Sequence, residues 1–260
     1  MGLRKNLVRE QWKAGRKTVG TFLNLGSAIG AEAIGVAGFD YFIVDTEHGP
    51  YDVEAALSCV RSAEIRGLTP FVRIREISRP AVLKAFDIGA QGIIIPFVKT
   101  AEEARKLVEY GKYKPVGQRG FCPTRCSDFG FNGIFDRGME SYMMDKNDEV
   151  MIIPQCETKE CFDSLEEIVS LEGIDGIFVG PYDLSIALGK PGQFDDPEIA
   201  GAIAHIREVC EKNGKFVMIY APTVEAAKSR LAEGFDSVTY NTDINILIGA
   251  CKEALEEIRK

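Results

Sequence analysis

Acidic, basic and imidazole side chains follow short apolar segments of this chain, and such side chains can carry out acid–base chemistry. Asp45 and His48 lie in the segment DTEHGP, and Arg73 ends another apolar segment. Because imidazole titrates near neutral pH, His48 could act as a general base with its ring oriented by Asp45. The guanidinium of Arg73 could bind a carboxylate or stabilise an oxyanion.

Two further acidic residues, Glu157 and Asp183, follow apolar segments that are neighbours in the predicted order of strands. Carboxylates without a nearby His or Cys supply oxygen ligands, which suit a hard divalent cation such as Mg²⁺ or Mn²⁺. As an alternative, Glu157 could lie in the first turn of a helix, and Asp183 could cap the next one. Their occurrence at successive strand ends favours the metal site.

Structural roles are the alternatives for other polar residues. His48 could instead hydrogen-bond its own turn, and Arg73 could form a salt bridge with a neighbouring carboxylate. His205 lies within a helical pattern and is interpreted as structural. Arg119 and Arg125 lie in a long loop and could contact an anionic substrate, but most loop arginines are simply solvated.

The cysteines form no recognisable metal or disulfide pattern. They are odd in number and widely spaced, with no CxxC pair, and the chain has only two histidines. Neither a disulfide framework nor a structural zinc site is expected, and reduced thiols in a cytoplasm fit best. Cys122 and Cys126 have no evident partner ligands, and Cys156 is expected to be buried. The seven cysteines are Cys59, Cys122, Cys126, Cys156, Cys161, Cys210 and Cys251.

Short apolar segments alternate with longer helical patterns, and these elements must position the polar side chains. The segments are nearly continuously apolar, as expected for parallel strands buried on both faces. The predicted strands are Val19–Asn24, Tyr41–Asp45, Pro70–Arg73, Gly92–Pro96, Met151–Cys156, Gly176–Val179, Phe216–Ile219 and Ser237–Tyr240. The predicted helices are Val53–Ile65, Ala101–Tyr110, Cys161–Ser170, Pro197–Lys212, Val224–Ala232 and Asp243–Ile258, with N-caps expected at Asp52, Thr100, Thr158, Thr223 and Thr242.

This alternation predicts a closed (β/α)₈ TIM barrel that residues 1–260 form as one domain. An open doubly wound sheet is the alternative, but no GxGxxG turn follows a strand. The carboxyl ends of barrel strands meet at one face, so polar residues distant in sequence are expected around one mouth. The region of about 111–149 is predicted to be a long, irregular and functional loop between the fourth and fifth strands.

Composition disfavours several classes of partner. The 260 residues carry 31 Lys and Arg against 39 Asp and Glu, a net charge of −8, so neither nucleic acid nor an anionic membrane is an expected partner. No apolar segment approaches the roughly 20 residues of a membrane span, and no signal peptide is recognisable. We therefore expect a cytoplasmic protein that acts on a small molecule.

Six segments, taken in order, resemble the HpcH/HpaI aldolases, which are class II, metal-dependent pyruvate aldolases of the phosphoenolpyruvate/pyruvate barrel superfamily. They are DTEHGP, Val72-Arg73, Ile95-Pro96, GQRG, QCET and GPYDLS, and the resemblance extends from about Gly20 to Lys260. It implies an enzyme that reversibly cleaves a 4-hydroxy-2-oxoacid into pyruvate and an aldehyde through a metal-stabilised pyruvate enolate. Substrates such as a 2-keto-3-deoxy sugar acid or 4-hydroxy-2-oxo-heptanedioate would fit.

The resemblance also implies roles for particular residues. Glu157 and Asp183 would bind a divalent cation, with Mg²⁺ or Mn²⁺ expected and Co²⁺ also suitable, and Asp183 would contact the substrate. Arg73 would bind pyruvate and stabilise its enolate. His48, paired with Asp45, would transfer the proton.

Further implications concern substrate contacts and assembly. Gln155, Pro181 and Tyr182 would contact the substrate, and Asp87 matches an aspartate that reaches a neighbouring subunit. The resemblance implies a homo-oligomer, a hexamer built as a trimer of dimers, whose paired subunits exchange the C-terminal helix within Asp243–Lys260.

Alternatives to the aldolase remain open at this stage. An oxaloacetate decarboxylase or a CoA-thioester lyase of the same superfamily would share the enolate step, and a barrel that only binds a ligand is a third possibility. Where family members often have Arg-Ala, an aromatic residue and Gly, this chain has RCSDFG at Arg125–Gly130. That segment borders the aldehyde side, so the sequence leaves the preferred aldehyde undefined.

Overall fold

A computed structural model describes residues 3–260 of the chain as a closed barrel of eight parallel strands. The strands pair in sequence order, and the last strand pairs with the first, which confirms the predicted (β/α)₈ TIM barrel and excludes the open sheet. Strands β1 to β8 are Thr18–Leu23, Tyr41–Asp45, Thr69–Arg73, Gly92–Ile95, Met151–Cys156, Gly176–Val179, Phe216–Ala221 and Ser237–Thr242.

Twelve α-helices lie within the described residues, and most of them follow a strand. Each of the five predicted N-cap side chains accepts a hydrogen bond from the backbone N–H three residues later, which fixes where these helices begin. Helices α1 to α12 are Leu7–Lys13, Ala28–Val36, Val53–Arg66, Arg79–Asp87, Ala101–Gly111, Met139–Glu149, Lys159–Asp163, Leu165–Ser170, Pro181–Ala187, Pro197–Lys212, Val224–Glu233 and Asp243–Ile258.

The structure corrects two of the predicted elements. The region 111–149 is not irregular throughout, because it contains a 3₁₀ turn at Arg125–Gly130 and helix α6. This helix begins without a side-chain cap, so its start carries no sequence signal. The predicted helix Cys161–Ser170 is divided into α7 and α8, since Ser164 has a non-helical ψ of 11° between them.

The core forms two layers, because alternate residues of each strand point to opposite faces. Tyr41 and Ile43 of β2 point into the barrel, whereas Phe42 and Val44 pack against the surrounding helices. Helix α1 closes the amino-terminal end of the barrel, with Val8 in the interior cluster and the Trp12 ring 5.7 Å from that of Phe216. The barrel interior is therefore a filled core, and substrate access is expected at the other end.

The carboxyl ends of the strands carry the polar residues singled out in the sequence. Asp45 is the last residue of β2, and Arg73 is the last residue of β3. Gln155 lies near the end of β5, and Gly180 follows β6 directly. None of the helices formed by residues 3–260 is long and apolar enough to cross a membrane.

Candidate active site

Arg73 and Asp45 form a two-pronged salt bridge at the mouth of the barrel. Nε of Arg73 donates to Oδ1 of Asp45 at 2.9 Å, and Nη2 donates to Oδ2 at 2.6 Å. Burial alone would raise the pKa of the Asp45 carboxyl, but the hydrogen bonds and charge of Arg73 outweigh it and lower that pKa. Asp45 is therefore a carboxylate whose function in the free protein is to hold the guanidinium in one orientation.

His48 does not pair with Asp45 through its imidazole, which corrects the pairing that the resemblance implied. Asp45 instead accepts a hydrogen bond from the backbone N–H of His48 at 3.2 Å. The imidazole is 70% exposed, and its Nε2 lies 3.6 Å from Oε2 of Glu47. The reason is that Arg73, on the neighbouring strand, occupies the carboxylate oxygens of Asp45, so the imidazole lies at the rim.

Glu47 is a site residue that the sequence analysis did not single out. Its Oε2 lies 3.2 Å from Nη1 of Arg73, so the guanidinium contacts two carboxylates. Burial raises the pKa of Glu47, and the charges of Asp45 and Asp183 also raise it, while those of Arg73 and His48 act in the opposite direction. The Glu-His pair in the DTEHGP segment is the sequence feature from which Glu47 could have been identified as a site residue.

Gln155 and Glu157 form a second polar pair at the end of β5. Nε2 of Gln155 donates to Oε2 of Glu157, while Oε1 of Gln155 is buried without a hydrogen-bond partner. Oε1 of Glu157 accepts from the backbone N–H of Phe97 at 2.8 Å. Phe97 has a positive φ of 55°, a conformation that is costly for an aromatic residue and that occurs mainly at functional sites.

The surroundings of Glu157 disfavour its negative charge. Burial, the largest cause, and the nearby charges of Asp183 and Glu47 together raise the pKa of its carboxyl to about 7, against hydrogen bonds from Phe97 and Gln155 that lower it. Glu157 and Asp183 line the same small pocket, of about 270 Å³. The end of β6 approaches closely because Gly180 has no side chain: a Cβ there would lie 3.0 Å from Oε2 of Glu157.

These residues fit a divalent cation. Glu157 and Asp183 offer carboxylate oxygens, and the unpartnered Oε1 of Gln155 lies beside them, a donor set that suits Mg²⁺ or Mn²⁺. Within residues 3–260, no group of three or more His, Cys, Asp and Glu side chains is placed to hold a metal ion. A cation such as Mg²⁺ usually retains several coordination positions for water and substrate.

The main pocket at the mouth has a volume of about 410 Å³. It brings together most of the sequence-predicted site residues, while Glu157 lies in the adjoining small pocket that also includes Asp183. The predicted residues that line the main pocket are Asp45, His48, Arg73, Gln155, Pro181, Tyr182 and Asp183. Asn24 and the aromatic residues Phe22, Phe178 and Tyr220 also line it, and sequence reasoning missed them because their types carry no catalytic signal.

Asp87 lies outside this pocket, at the end of helix α4. Its Oδ1 accepts a hydrogen bond at 2.9 Å from Nη2 of Arg119, whose side chain is completely buried. The Arg119 guanidinium lies over the rings of Phe86 and Tyr113, with 5.1 and 4.9 Å between Cζ and the ring centroids. Arg119 is thus a buried residue that holds Asp87, not a loop arginine in contact with solvent.

The other residues considered in the sequence have structural surroundings. His205 lies on the surface of α10, with Nε2 at 3.2 Å from Oε1 of Glu166, in keeping with a structural role. Arg125 forms a salt bridge with Glu64 outside the pocket. All seven cysteines are free, and Cys156 is buried as expected.

A parallel eight-stranded barrel with a buried arginine and several carboxylates at its strand ends defines an enzyme whose active site lies at the barrel mouth. The chain belongs to the HpcH/HpaI aldolase/citrate lyase family, whose profile matches residues 18–250. This confirms the predicted family and its class, a carbon–carbon lyase of the class II aldolase type.

Relatives extend over nearly the whole chain. A hydroxypyruvate/pyruvate aldolase from Rhizorhabdus wittichii is 34% identical over 98% of this chain and 99% of its own length. A 2-keto-3-deoxy-L-rhamnonate aldolase from Escherichia coli (strain K12) is 32% identical over 97% of this chain and 93% of its own. The crystal structure of an HpcH/HpaI aldolase from Desulfitobacterium hafniense DCB-2 matches with a TM-score of 0.91 at 28% identity, covering 99% of this chain and 98% of that one.

Proposed function

We propose that this aldolase requires a divalent metal ion and cleaves a 4-hydroxy-2-oxoacid reversibly into pyruvate and an aldehyde. The observation that carries the proposal is the arrangement of Arg73, held by Asp45, in a pocket that adjoins the carboxylates Glu157 and Asp183. The names of the relatives, which include a hydroxypyruvate/pyruvate aldolase and a 2-keto-3-deoxy-L-rhamnonate aldolase, support the same substrate class.

Glu157 and Asp183 would hold the metal, with Gln155 beside them. Mg²⁺ and Mn²⁺ are the expected ions because the donor atoms are hard oxygens, and Co²⁺ would also be accepted. When bound, the cation would supply Lewis acidity to the 2-oxoacid. Burial, and to a smaller extent the charges of Asp183 and Glu47, raise the pKa of Glu157; this supports the assignment, since a divalent cation would offset the cost of the buried, crowded carboxylates.

Arg73 would stabilise the negative charge that develops on the oxygen of pyruvate when the carbon–carbon bond breaks. Its orientation is fixed before substrate binds, so little reorganisation is needed, and loss of one such donor typically costs about 3–4 kcal/mol of transition-state stabilisation. His48 would take the proton from the 4-hydroxyl group of the substrate, the C3–C4 bond would break, and a proton would return to C3 to give pyruvate. The exposed imidazole beside Glu47 is free to turn toward the pocket.

The proposal is tested by the exchange of pyruvate methyl protons for deuterium, followed by ¹H NMR in D₂O. This reaction reports formation of the enolate without any aldehyde. We expect exchange with added Mg²⁺ or Mn²⁺ and its loss after EDTA treatment, with recovery when metal is restored. Full exchange by the metal-free protein would contradict metal dependence, and absence of exchange under all conditions would contradict the aldolase mechanism.

We also propose that the chain assembles as a homo-oligomer, a hexamer in which paired subunits exchange helix α12. Large apolar side chains on this helix are exposed, with exposed fractions of 52% for Leu247 and 79% for Ile258. Burying them in a neighbouring subunit would be favourable by roughly 25 cal/mol per Å² of apolar surface. In such an assembly Asp87 would reach the active site of a neighbouring subunit and act with His48.

A cytoplasmic location is part of the proposal. All seven cysteines are free, and four of them (Cys59, Cys156, Cys161 and Cys210) are buried without a disulfide partner. A reducing compartment maintains this state. Thiol titration of the protein purified from its native cells, unfolded without reductant, should detect seven thiols per chain, and a lower number would contradict the assignment.

A further inference from the structure

Cys126, in the 3₁₀ turn at Arg125–Gly130, combines partial exposure with hydrogen bonds at its sulfur, and no other cysteine within residues 3–260 does so. Thr124, which contacts this sulfur, is partly exposed as well, so a small solute has access to the thiol. Cys122 and Cys251 are more exposed but form no hydrogen bonds through sulfur to the described residues. The remaining cysteines are buried: Cys59, Cys156, Cys161 and Cys210.

Three polar groups surround the sulfur of Cys126. Nη2 of Arg119 donates to Sγ at 3.7 Å, and Oγ1 of Thr124 lies 3.4 Å from it. The hydroxyl oxygen of Tyr142 lies 3.9 Å away. The thiolate is the nucleophilic form of cysteine, and a guanidinium and hydroxyl groups beside the sulfur stabilise its negative charge. These contacts therefore favour reaction of this thiol with an electrophile.

The guanidinium of Arg119 has more hydrogen-bond donors than acceptors around it. Its side chain is completely buried, and Nη2 contacts both Oδ1 of Asp87 and Sγ of Cys126. Nε and Nη1 are buried and have no hydrogen-bond partner among residues 3–260. Because unsatisfied buried donors are costly, an oxygen atom attached to Sγ would supply an acceptor beside a guanidinium that is short of acceptors. The surroundings thus suit an oxidised form of the sulfur.

We propose that Cys126 is a modification site that reacts with hydroperoxides to form a sulfenic acid. The thiolate sulfur attacks the hydroxyl oxygen of the peroxide, so that the S–O bond forms as the O–O bond breaks. The sulfur is oxidised by two electrons and the peroxide is reduced. The departing hydroxide or alkoxide takes up the proton that left the thiol and is released as water or an alcohol. A thiol such as dithiothreitol reverses the modification.

Two side chains have defined roles in this reaction. The hydroxyl of Thr124 donates to the peroxide as it approaches the sulfur, and Arg119 stabilises first the thiolate and then the new sulfur–oxygen group. The site lies outside the barrel-mouth pocket, so it does not depend on the proposed aldolase function.

The test measures trapping of the sulfenic acid by dimedone while the intact protein is exposed to hydrogen peroxide. Digestion and mass spectrometry give a rate constant for each cysteine. Cys122 and Cys251 are internal controls in the same sample, since they are more exposed but lack the polar contacts. We expect Cys126 to be labelled at least about tenfold faster than either, the effect of about one hydrogen bond to the reacting group. Dithiothreitol added before dimedone should abolish the label.

Variants assign the reactivity to the neighbouring side chains. Thr124→Val removes the hydroxyl and keeps the volume, so it should slow the labelling of Cys126 about tenfold. Thr124→Ser keeps the hydroxyl and is the matched control, with a rate within about a factor of two of the wild type. Arg119→Lys should also slow labelling about tenfold, because an ammonium does not reproduce the fork of donors. The four buried cysteines stay unlabelled in any variant that is folded.

Several results would overturn the proposal. Equal labelling of Cys122, Cys126 and Cys251 would show that exposure alone sets the reactivity, and absence of label at Cys126 would exclude the site. Unchanged rates in both Thr124→Val and Arg119→Lys would show that the contacts have no effect. In urea all seven cysteines should react at similar rates. A preference for Cys126 that survives unfolding would overturn the site, because it would arise from the local sequence and not from the fold.

Discussion

Arg73 and Asp45 end neighbouring strands and face each other in the register of the sheet, where they form a two-pronged salt bridge with distances of 2.9 and 2.6 Å. The side chains are 10% and 3% exposed, so the pair is largely removed from water. A buried pair of this kind contributes little net stability over an apolar pair, but loss of one partner leaves an uncompensated charge. Its importance is therefore geometric: it fixes a guanidinium at the mouth before substrate arrives.

Arg73→Lys should lower the rate of pyruvate methyl exchange by about 10²–10³, because an ammonium cannot reproduce the planar arrangement of donors. The charge is retained, so we expect the variant to fold. Arg66→Lys is the matched control, since Arg66 forms a comparable contact with Glu32 on the exposed surface. Exchange in Arg73→Lys within a factor of about two of the Arg66→Lys control would contradict the assigned role.

Glu157→Gln should remove metal binding while the fold is retained. Saturating Mn²⁺ should raise the melting temperature of the wild type, because a ligand at about 100 times its Kd stabilises the folded state by about 2.7 kcal/mol. The variant should show no such rise and no pyruvate exchange. Glu167→Gln, at an exposed side chain of helix α8 outside the pocket of Glu157, is the control and should respond as the wild type does. An equal thermal shift in Glu157→Gln would exclude this residue as a ligand.

Mixed oligomers can show whether Asp87 acts across a subunit interface. His48→Ala and Asp87→Asn should each be inactive alone. If the two residues belong to different subunits of one site, co-refolding the two variants should restore part of the aldolase activity. Co-refolding of His48→Ala with Arg73→Ala is the control and should restore none, because both residues come from the same chain. Activity of Asp87→Asn alone at the wild-type level would contradict the shared site.

The strands and their polar ends could be predicted because they depend on local patterns. Apolar runs predicted β2, β5 and β6 with the correct bounds, with a glycine shortly before β2 and at the start of β6, and all five predicted cap residues cap a helix. Helix α2 was missed because its sequence AIGAEAIGV contains two glycines and no polar face. Helix α4 was missed because a proline in its first turn was not recognised as a start signal after Ser78.

Which side chains meet at the mouth could not be read from the sequence. The register of β2 against β3 places Asp45 beside Arg73. The carboxylate that the spacing had assigned to the imidazole of His48 therefore binds the guanidinium, and it contacts His48 only through the backbone N–H. Burial of Arg119 against Phe86 and Tyr113 depends on the path of the long loop. Such relationships arise from tertiary packing, so they carry no local signal.

Leu247→Asp should weaken the proposed assembly through helix α12. Leu247 is 52% exposed in the single chain, so a carboxylate there costs little unless a neighbouring subunit covers it. Light scattering after size exclusion should give a smaller molar mass for this variant than for the wild type. Lys252→Glu, on the exposed surface of the same helix, changes charge without removing an apolar contact and should retain the assembly. A wild-type molar mass for Leu247→Asp would argue against the exchanged helix.

Lys146 of helix α6 should make the stability of the protein depend on pH. Burial, the largest cause, and the charges of Arg119 and Arg4 lower the pKa of its ammonium to about 8, while Cys126 and Glu149 act in the opposite direction. The unfolded chain keeps its ordinary pKa near 10.5. Below about pH 8 both states are protonated and the folded protein bears the full cost of the buried charge, about 3 kcal/mol at pH 7. Between pH 8 and 10.5 only the unfolded state retains the proton, so this cost falls as pH rises.

Replacing this lysine by methionine removes the charge and keeps the volume. Urea unfolding should therefore show Lys146→Met to be more stable than the wild type by about 3 kcal/mol at pH 7 and by only about 1 kcal/mol at pH 10. Lys106→Met, at an exposed position of helix α5, should show no such pH-dependent difference because its ammonium is in water in both states. A gain in stability that is the same at both pH values would mean that methionine packing, and not relief of the buried charge, causes it.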